Sequence, residues 1–156
     1  AVMNEGRIVQ IGTPAAVMNH PHDEFVATFV GVETILEGTI RENRGGVIIV
    51  DIGGKAVEAV GDLPVGTDVT CCIRPEHVTL TKTSDPAARS SARNILPGRI
   101  VGIQAMGLFY KILLDCGFCL VAYVTRPSLE ELCLRTQDDV IASFKATAIH
   151  IIRPQN

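Results

Sequence analysis

The chain has 156 residues, 47% of them hydrophobic and 20% charged, with a net charge of −3 at neutral pH. That balance suits a globular core and excludes a protein that works by neutralising a phosphate backbone. Five Phe, two Tyr and no Trp also leave few platforms for stacking bases. No apolar run approaches the ~18 to 20 residues that span a bilayer, and the N-terminus lacks a charged-then-apolar export signal, so a cytoplasmic chain that binds no nucleic acid is expected.

In chain order, the apolar runs at Ala1 to Met3 and Arg7 to Ile11, joined by Asn4-Glu5-Gly6, predict a hairpin. Thr13-Pro14 supplies a capping hydroxyl and a proline for the first helical position. A short helix over Ala15 to Asn19, stopped by Pro21, follows. Asp23 to Val30 predicts a second short helix with Phe25, Val26 and Phe29 on one side, ended by Gly31.

From Ile35 the texture changes to short β-branched runs separated by glycine pairs: LEGTI, VIIVDI, KAVEAV, VTCCI and VTL. Strands at this spacing predict a small barrel or sandwich. The polar stretch 83–90 reads as a linker. After it the pattern repeats: Leu36 to Ile40 (LEGTI) matches Leu96 to Ile100 (LPGRI) at an offset of 60, and Asp68 to Pro75 matches Asp139 to Ala146 at an offset of 71. The offset grows because the second copy gains a helix, for which Ser128 is the expected N-cap and Glu131 the capping-box partner.

Five cysteines, an odd number, suit a reducing compartment. Cys71 and Cys72, adjacent on one strand, predict a core residue and its outward neighbour. Cys116 and Cys119 have zinc-knuckle spacing, but no second pair completes the roughly four ligands of a structural site, so no metal is assigned. The scattered histidines, His150 among them, receive no role.

Several of these stretches resemble a known family. MNEGRIVQIGTPAAVMNHPHDEFVATFVG, Met3 to Gly31, is similar to the closing segment of an ABC-transporter ATPase domain. LEGTI followed by CIRPEHVTL resembles the transport-associated OB-type (TOBE) barrel appended to many import ATPases. SARN, VTRPSLEEL and SFKATAIHII resemble the molybdate-binding Mop module. The order is that of the C-terminal region of a molybdate- or tungstate-import ATP-binding protein. The resemblance implies a mainly β fold of two OB-like five-stranded barrels of TOBE/Mop type, preceded by a short α+β ATPase remnant. The implied division is 1–31 for the remnant, 32–82 for the first barrel, 83–90 for the linker and 91–156 for the Mop-type barrel. These 156 residues contain no GxxxxGK[ST] phosphate loop and no LSGGQ-type signature, so the chain is not expected to be an enzyme by itself; ATP and magnesium would belong to a part outside it.

Molybdate and tungstate are tetrahedral dianions whose oxygens only accept hydrogen bonds, so a site for them needs N–H and O–H donors, some positive charge, and no carboxylates. The resemblance implies that Ser91, Arg93, Thr125, Ser128, Lys145 and Ala146 supply these groups. Ser91 and Arg93, two apart, would share one face of an extended strand. Thr125 and Ser128 would set hydroxyls beside a helix N-terminus, and Lys145 would bring the second cation. In the family the SARN and SFKAT side of one subunit faces the threonine-turn-serine side of another, which implies a homodimer. No anion is expected at the first barrel, where Glu76 stands at the position of Thr147. The implied function is regulatory oxyanion sensing that inhibits transport, at the inner membrane through permease subunits. The alternative is a ligand-free barrel that only dimerises or docks a partner.

Overall fold

The computed structural model describes residues 1–82 and 89–154, so of the expected linker only Arg89 and Ser90 fall within the described residues. The fold is mainly β, as expected. Strands β1 (Val2–Asn4) and β2 (Arg7–Gln10) form the hairpin, turning at Glu5 and Gly6 with φ of 47° and 76°. Helix α1 (Pro14–Asn19) is capped by Thr13, whose hydroxyl accepts the Ala16 N–H at 3.2 Å. Helix α2 (Glu24–Phe29) is capped by Asp23, which accepts the Val26 N–H at 2.8 Å.

The buried face of α2 differs from the expected one. Val26 and Ala27 are buried, whereas Phe25 and Phe29 stack on each other at 6.4 Å and stay exposed. A two-turn helix offers so little surface that adjacent residues decide which face docks, and volume does not.

The remaining strands are β3 (Thr34–Asn43), β4 (Val47–Ile52), β5 (Lys55–Val60), β6 (Asp68–Ile73), β7 (Thr79–Thr81), β8 (Asn94–Ala105), β9 (Phe109–Asp115), β10 (Cys119–Thr125), β11 (Asp139–Phe144) and β12 (Ile149–Ile152). They form two antiparallel five-stranded sheets, ordered β12-β6-β3-β4-β5 and β10-β9-β8-β11-β7. Each sequence segment therefore keeps four strands and lends its last one to the other. The crossing is made by two 3-10 turns, Pro75–His77 after β6 and Ala146–Ala148 after β11. The second of these packs against edge strand β5 and the first against edge strand β10, which curls each sheet toward a barrel. One apolar core, including Ile40, Val50, Ile73, Ile100, Leu114 and Phe144, runs through both sheets.

The sequence repeat is repeated in the backbone. The Ile40 N–H donates to Thr67 O at 2.9 Å, and Ile40 O accepts from the Gly66 N–H; the Ile100 N–H donates to Asp138 O at 2.9 Å, and Ile100 O accepts from the Gln137 N–H. A bulge follows each isoleucine. Gly38 and Gly98 occupy matching positions where a Cβ would lie 2.6 Å from Val50 Cγ1 or from Cys116 Sγ, so the shared glycine is required by the close approach of the neighbouring strand.

Helix α3 (Arg126–Glu131) is the insertion that only the second copy carries. Its N-cap is Thr125, one turn earlier than expected, and Ser128 lies inside the helix with its N–H donating to Thr125 Oγ1 at 3.3 Å. The extended conformation of Thr125 (φ −75°, ψ 161°) is what an N-cap requires, so the helix begins where β10 ends.

Residues 1–31 dock on β6 and β12. Arg74 donates to the carbonyls of Val30, at 2.9 Å, and Met18. The buried Gln10 side chain bridges His20 O and the His22 N–H, both at 2.9 Å. Cys72 does face outward from the core, but Ala27, Val32 and Ile152 cover it, so both adjacent cysteines are buried and burial pushes both thiols up to about 12. His150 also gains a role the sequence did not assign. Its Nε2 lies 2.9 Å from the carbonyl of Pro21 and its ring meets that of His20 edge-on at 5.7 Å.

Burial lowers the pKa of His150 below the ordinary value, with His20 and His22 adding to the effect. The folded state thus disfavours the charged ring. The stability contributed by neutral His150 is present above its unfolded pKa of about 6.5 and is lost as pH falls below it. Thermal unfolding followed from pH 7.5 to 5 should show a falling Tm, and His150→Gln should flatten that dependence.

Candidate functional site

One groove, of about 920 Å³, is lined by Asp23, Glu24, Glu37, Asp51 and Asp68 against Arg153 and His22, a setting that repels anions. A smaller groove of about 510 Å³ has the opposite chemistry. It is lined by Ser90, Ser91, Ala92, Ser143, Lys145 and Thr147 together with His77, Thr79, Phe144 and Ala148, and none of these described residues is a carboxylate. The strand exchange creates it, because β7, the entry to β8 and the turn after β11 meet only where β7 pairs with β11, from Ile141 and Thr81 to Ser143 and Thr79.

Of the expected site residues, Ser91 and Lys145 are brought together here. Ala146 is buried beside them, at the first position of the 3-10 turn, but does not line the groove. Arg93 is not a lining residue: its Nε sits 3.3 Å from Glu58 Oε1 on β5. The expected shared face of Ser91 and Arg93 is also absent, since β8 begins only at Asn94 and the Ser90 hydroxyl accepts the Ala92 N–H at 3.1 Å, bending the chain. Thr125 and Ser128 line no part of this groove. They stand at the end of β10, the strand that packs on the Pro75–His77 turn, and their hydroxyls bond to each other at 3.1 Å.

Ser143 and Thr147 belong to the same SFKAT stretch as Lys145 but were given no role. On the strand and turn that follow each other there, alternation places Ser143 and Lys145 on one side, a signal that the pentapeptide already carried.

The equivalent of Lys145 in the first copy is Arg74, 71 residues earlier, at the head of the same kind of turn. The His77 N–H donates to Arg74 O as the Ala148 N–H donates to Lys145 O. Arg74 is committed to the carbonyls of Val30 and Met18, whereas Lys145 forms no ion pair with any described residue. Only one of the two related turns thus presents a cation to a groove of hydroxyls.

The sequence profile of the TOBE domain matches residues 90–151. The chain is 38% identical over 151 residues to the molybdate/tungstate import ATP-binding protein WtpC of Pyrococcus horikoshii, covering 96% of this chain and 41% of that protein. It is 35% identical over 153 residues to WtpC of Pyrococcus abyssi, with the same coverage. It therefore spans about two fifths of the length of these relatives. A spermidine/putrescine import ATP-binding protein, PotA of Rubrobacter xylanophilus, is 37% identical over 101 residues, 62% of this chain and 27% of that protein. Among solved structures, the cytoplasmic molybdate-binding protein ModG with molybdate bound superposes with a TM-score of 0.68 at 25% identity, over 79% of this chain and 97% of ModG.

Besides the common core and the exchanged strands, a buried side chain ties the stretch matched by the TOBE profile to the first sheet. Asn94, buried at the start of β8, accepts the Glu58 N–H and donates to Glu58 O, both at 2.8 Å. It completes the open edge of β5 as another strand would. Asn94→Ala removes both bonds and strands two backbone groups, so chemical denaturation should show a loss of about 2 kcal/mol.

Proposed function

We propose that the chain is the regulatory part of an oxyanion-import ATPase: a TOBE/Mop module that binds molybdate or tungstate and restrains transport when the cytosolic oxyanion is abundant. The observation that carries this reading is the groove in which Ser91, Ser143, Lys145 and Thr147 converge with no carboxylate among the described lining residues. The likeness to ModG, a molybdate-binding protein, and to WtpC, a molybdate/tungstate import ATP-binding protein, supports it. Charge-assisted N–H and O–H bonds to a dianion are short and roughly twice as strong as neutral ones, and these are the groups the groove presents.

In this reading the two sheets are OB-like barrels, with 32–82 and 91–156 as their sequence units and 83–90 as the link between them. Residues 1–31 are the closing segment of the ATPase domain. The exposed Met3, Ile8, Ile11 and Phe29 are the surface such a segment would turn toward its ATPase body. That body would hold ATP and magnesium and would dock on permease subunits at the cytoplasmic face of the membrane; among the described residues no helix is long and apolar enough to cross one.

The placement of Thr125 and Ser128 away from the groove on one chain favours a site completed by a second chain. The turn of one subunit would then meet Ser91, Arg93, Lys145 and the backbone of Ala146 on its partner in a homodimer. Oxyanion binding could restrain the ATPase only by favouring one dimer arrangement over another.

Calorimetric titration tests the reading. Molybdate and tungstate should bind far more tightly than sulfate, and Lys145→Ala should lose about tenfold to a hundredfold in affinity, on the order of 1.5 to 3 kcal/mol. A dimer that binds none of the three anions would leave only the ligand-free docking role. Mixed Lys145→Ala and Ser128→Ala chains should form heterodimers with one intact site, restoring part of the wild-type affinity; if every mixture binds as weakly as the single variants, with subunit exchange verified, sharing is excluded.

A further inference from the structure

Glu58 belongs to the first sheet and lies outside the residues that the TOBE profile matches, yet its backbone N–H and C=O both hold the entry to that stretch. Its N–H and C=O are fixed by the Asn94 side chain, and its carboxylate, with the side chain only 18% exposed, contacts Arg93. The Asn94 pair fixes the backbone of Glu58 on edge strand β5, and the side chain that carries the carboxylate is largely covered there. Arg93, in contrast, is 63% exposed and touches Glu58 through Nε alone, at 3.3 Å. A guanidinium has five donors and favours two-point contact with an oxyanion. Its hold on Glu58 is therefore weak and exchangeable, while the position of Glu58 is not.

We propose that Glu58 is an internal competitor for the oxyanion, a built-in carboxylate that keeps Arg93 out of the groove until a dianion displaces it. The proposal rests on the oxyanion reading above. With Arg93 engaged by Glu58, Lys145 is the one lysine or arginine among the described residues that line the groove, half the positive charge that a dianion requires. When the dianion arrives, Arg93 exchanges one carboxylate for an anion of twice the charge, and Glu58 remains beside Asn94. Glu58 thus sets the concentration at which the site fills and ties that threshold to the first sheet, on whose edge strand β5 the Ala146–Ala148 turn also packs.

The experiment is calorimetric titration of sodium molybdate into wild type, Glu58→Gln, Arg93→Ala and the double variant. Glu58→Gln keeps the side-chain volume and leaves the backbone bonds to Asn94 in place, so thermal unfolding serves as a control for folding. Exposed ion pairs of this kind are weak, and its removal should tighten molybdate binding about twofold to fivefold. Arg93→Ala should weaken binding, and adding Glu58→Gln to it should produce no further gain, because no guanidinium remains to release. A structural role for Glu58 would give unchanged or weaker binding in Glu58→Gln and would overturn the proposal. An equal gain with and without Arg93 would also overturn it, showing direct repulsion in place of competition. No molybdate or tungstate binding by wild type would instead remove the oxyanion reading, and the competitor role with it.

Discussion

Neither five-stranded sheet can be completed by its own stretch of sequence. Each segment folds four strands and reaches its last only after a 3-10 turn has carried the chain onto the other sheet, so β7 closes the second and β12 the first. The exchange makes the two repeats one body with a common core, while the repeated glycines and bulges stay between neighbouring strands of the same segment, β3 with β4 and β8 with β9. It also creates both junctions that matter. The turn at Ala146–Ala148 comes to rest on β5 of the first sheet, and the turn at Pro75–His77 on β10 of the second.

These two turns are alike in backbone and opposite in use. Arg74 spends its guanidinium on the carbonyls of Val30 and Met18 and so fastens residues 1–31, while Lys145 stands in a groove of hydroxyls with no carboxylate among its described lining residues. A duplicated element has been put to an anchoring use in one copy and, in the function proposed here, to a binding use in the other. The difference comes from what surrounds each turn, because the α-helical segment that covers the first has no counterpart over the second among the described residues.

The anchored and the binding elements are joined by β12. It follows directly from the Lys145 turn, pairs with β6, and carries His150 to the carbonyl of Pro21. A change at the groove thus has a short covalent path to the segment likened to the ATPase domain, through a strand held by ladder bonds on one side and by a half-buried histidine on the other. Coupling between two sites requires an element that both can bias, and β12 touches both.

Much of this was legible in the residues. The opening hairpin, the Thr13 cap, the two short helices, the strand-rich texture and the offset repeat all depend on local chemistry: turn glycines, a capping hydroxyl, β-branched alternation. The pairing of Ser91 with Lys145 in one groove followed from their motifs. What the sequence could not determine is where chain segments meet. The covered face of α2, the burial of Cys72 and the docking of His150 depend on which surface another segment happens to cover. The cap at Thr125 depends on where β10 stops, and the pairing of Arg93 with Glu58 joins residues 35 positions apart. The strand exchange is the clearest case. β7 and β12 have equally suitable edges to join in either sheet, and only the direction in which each 3-10 turn releases the chain in three dimensions chooses between them.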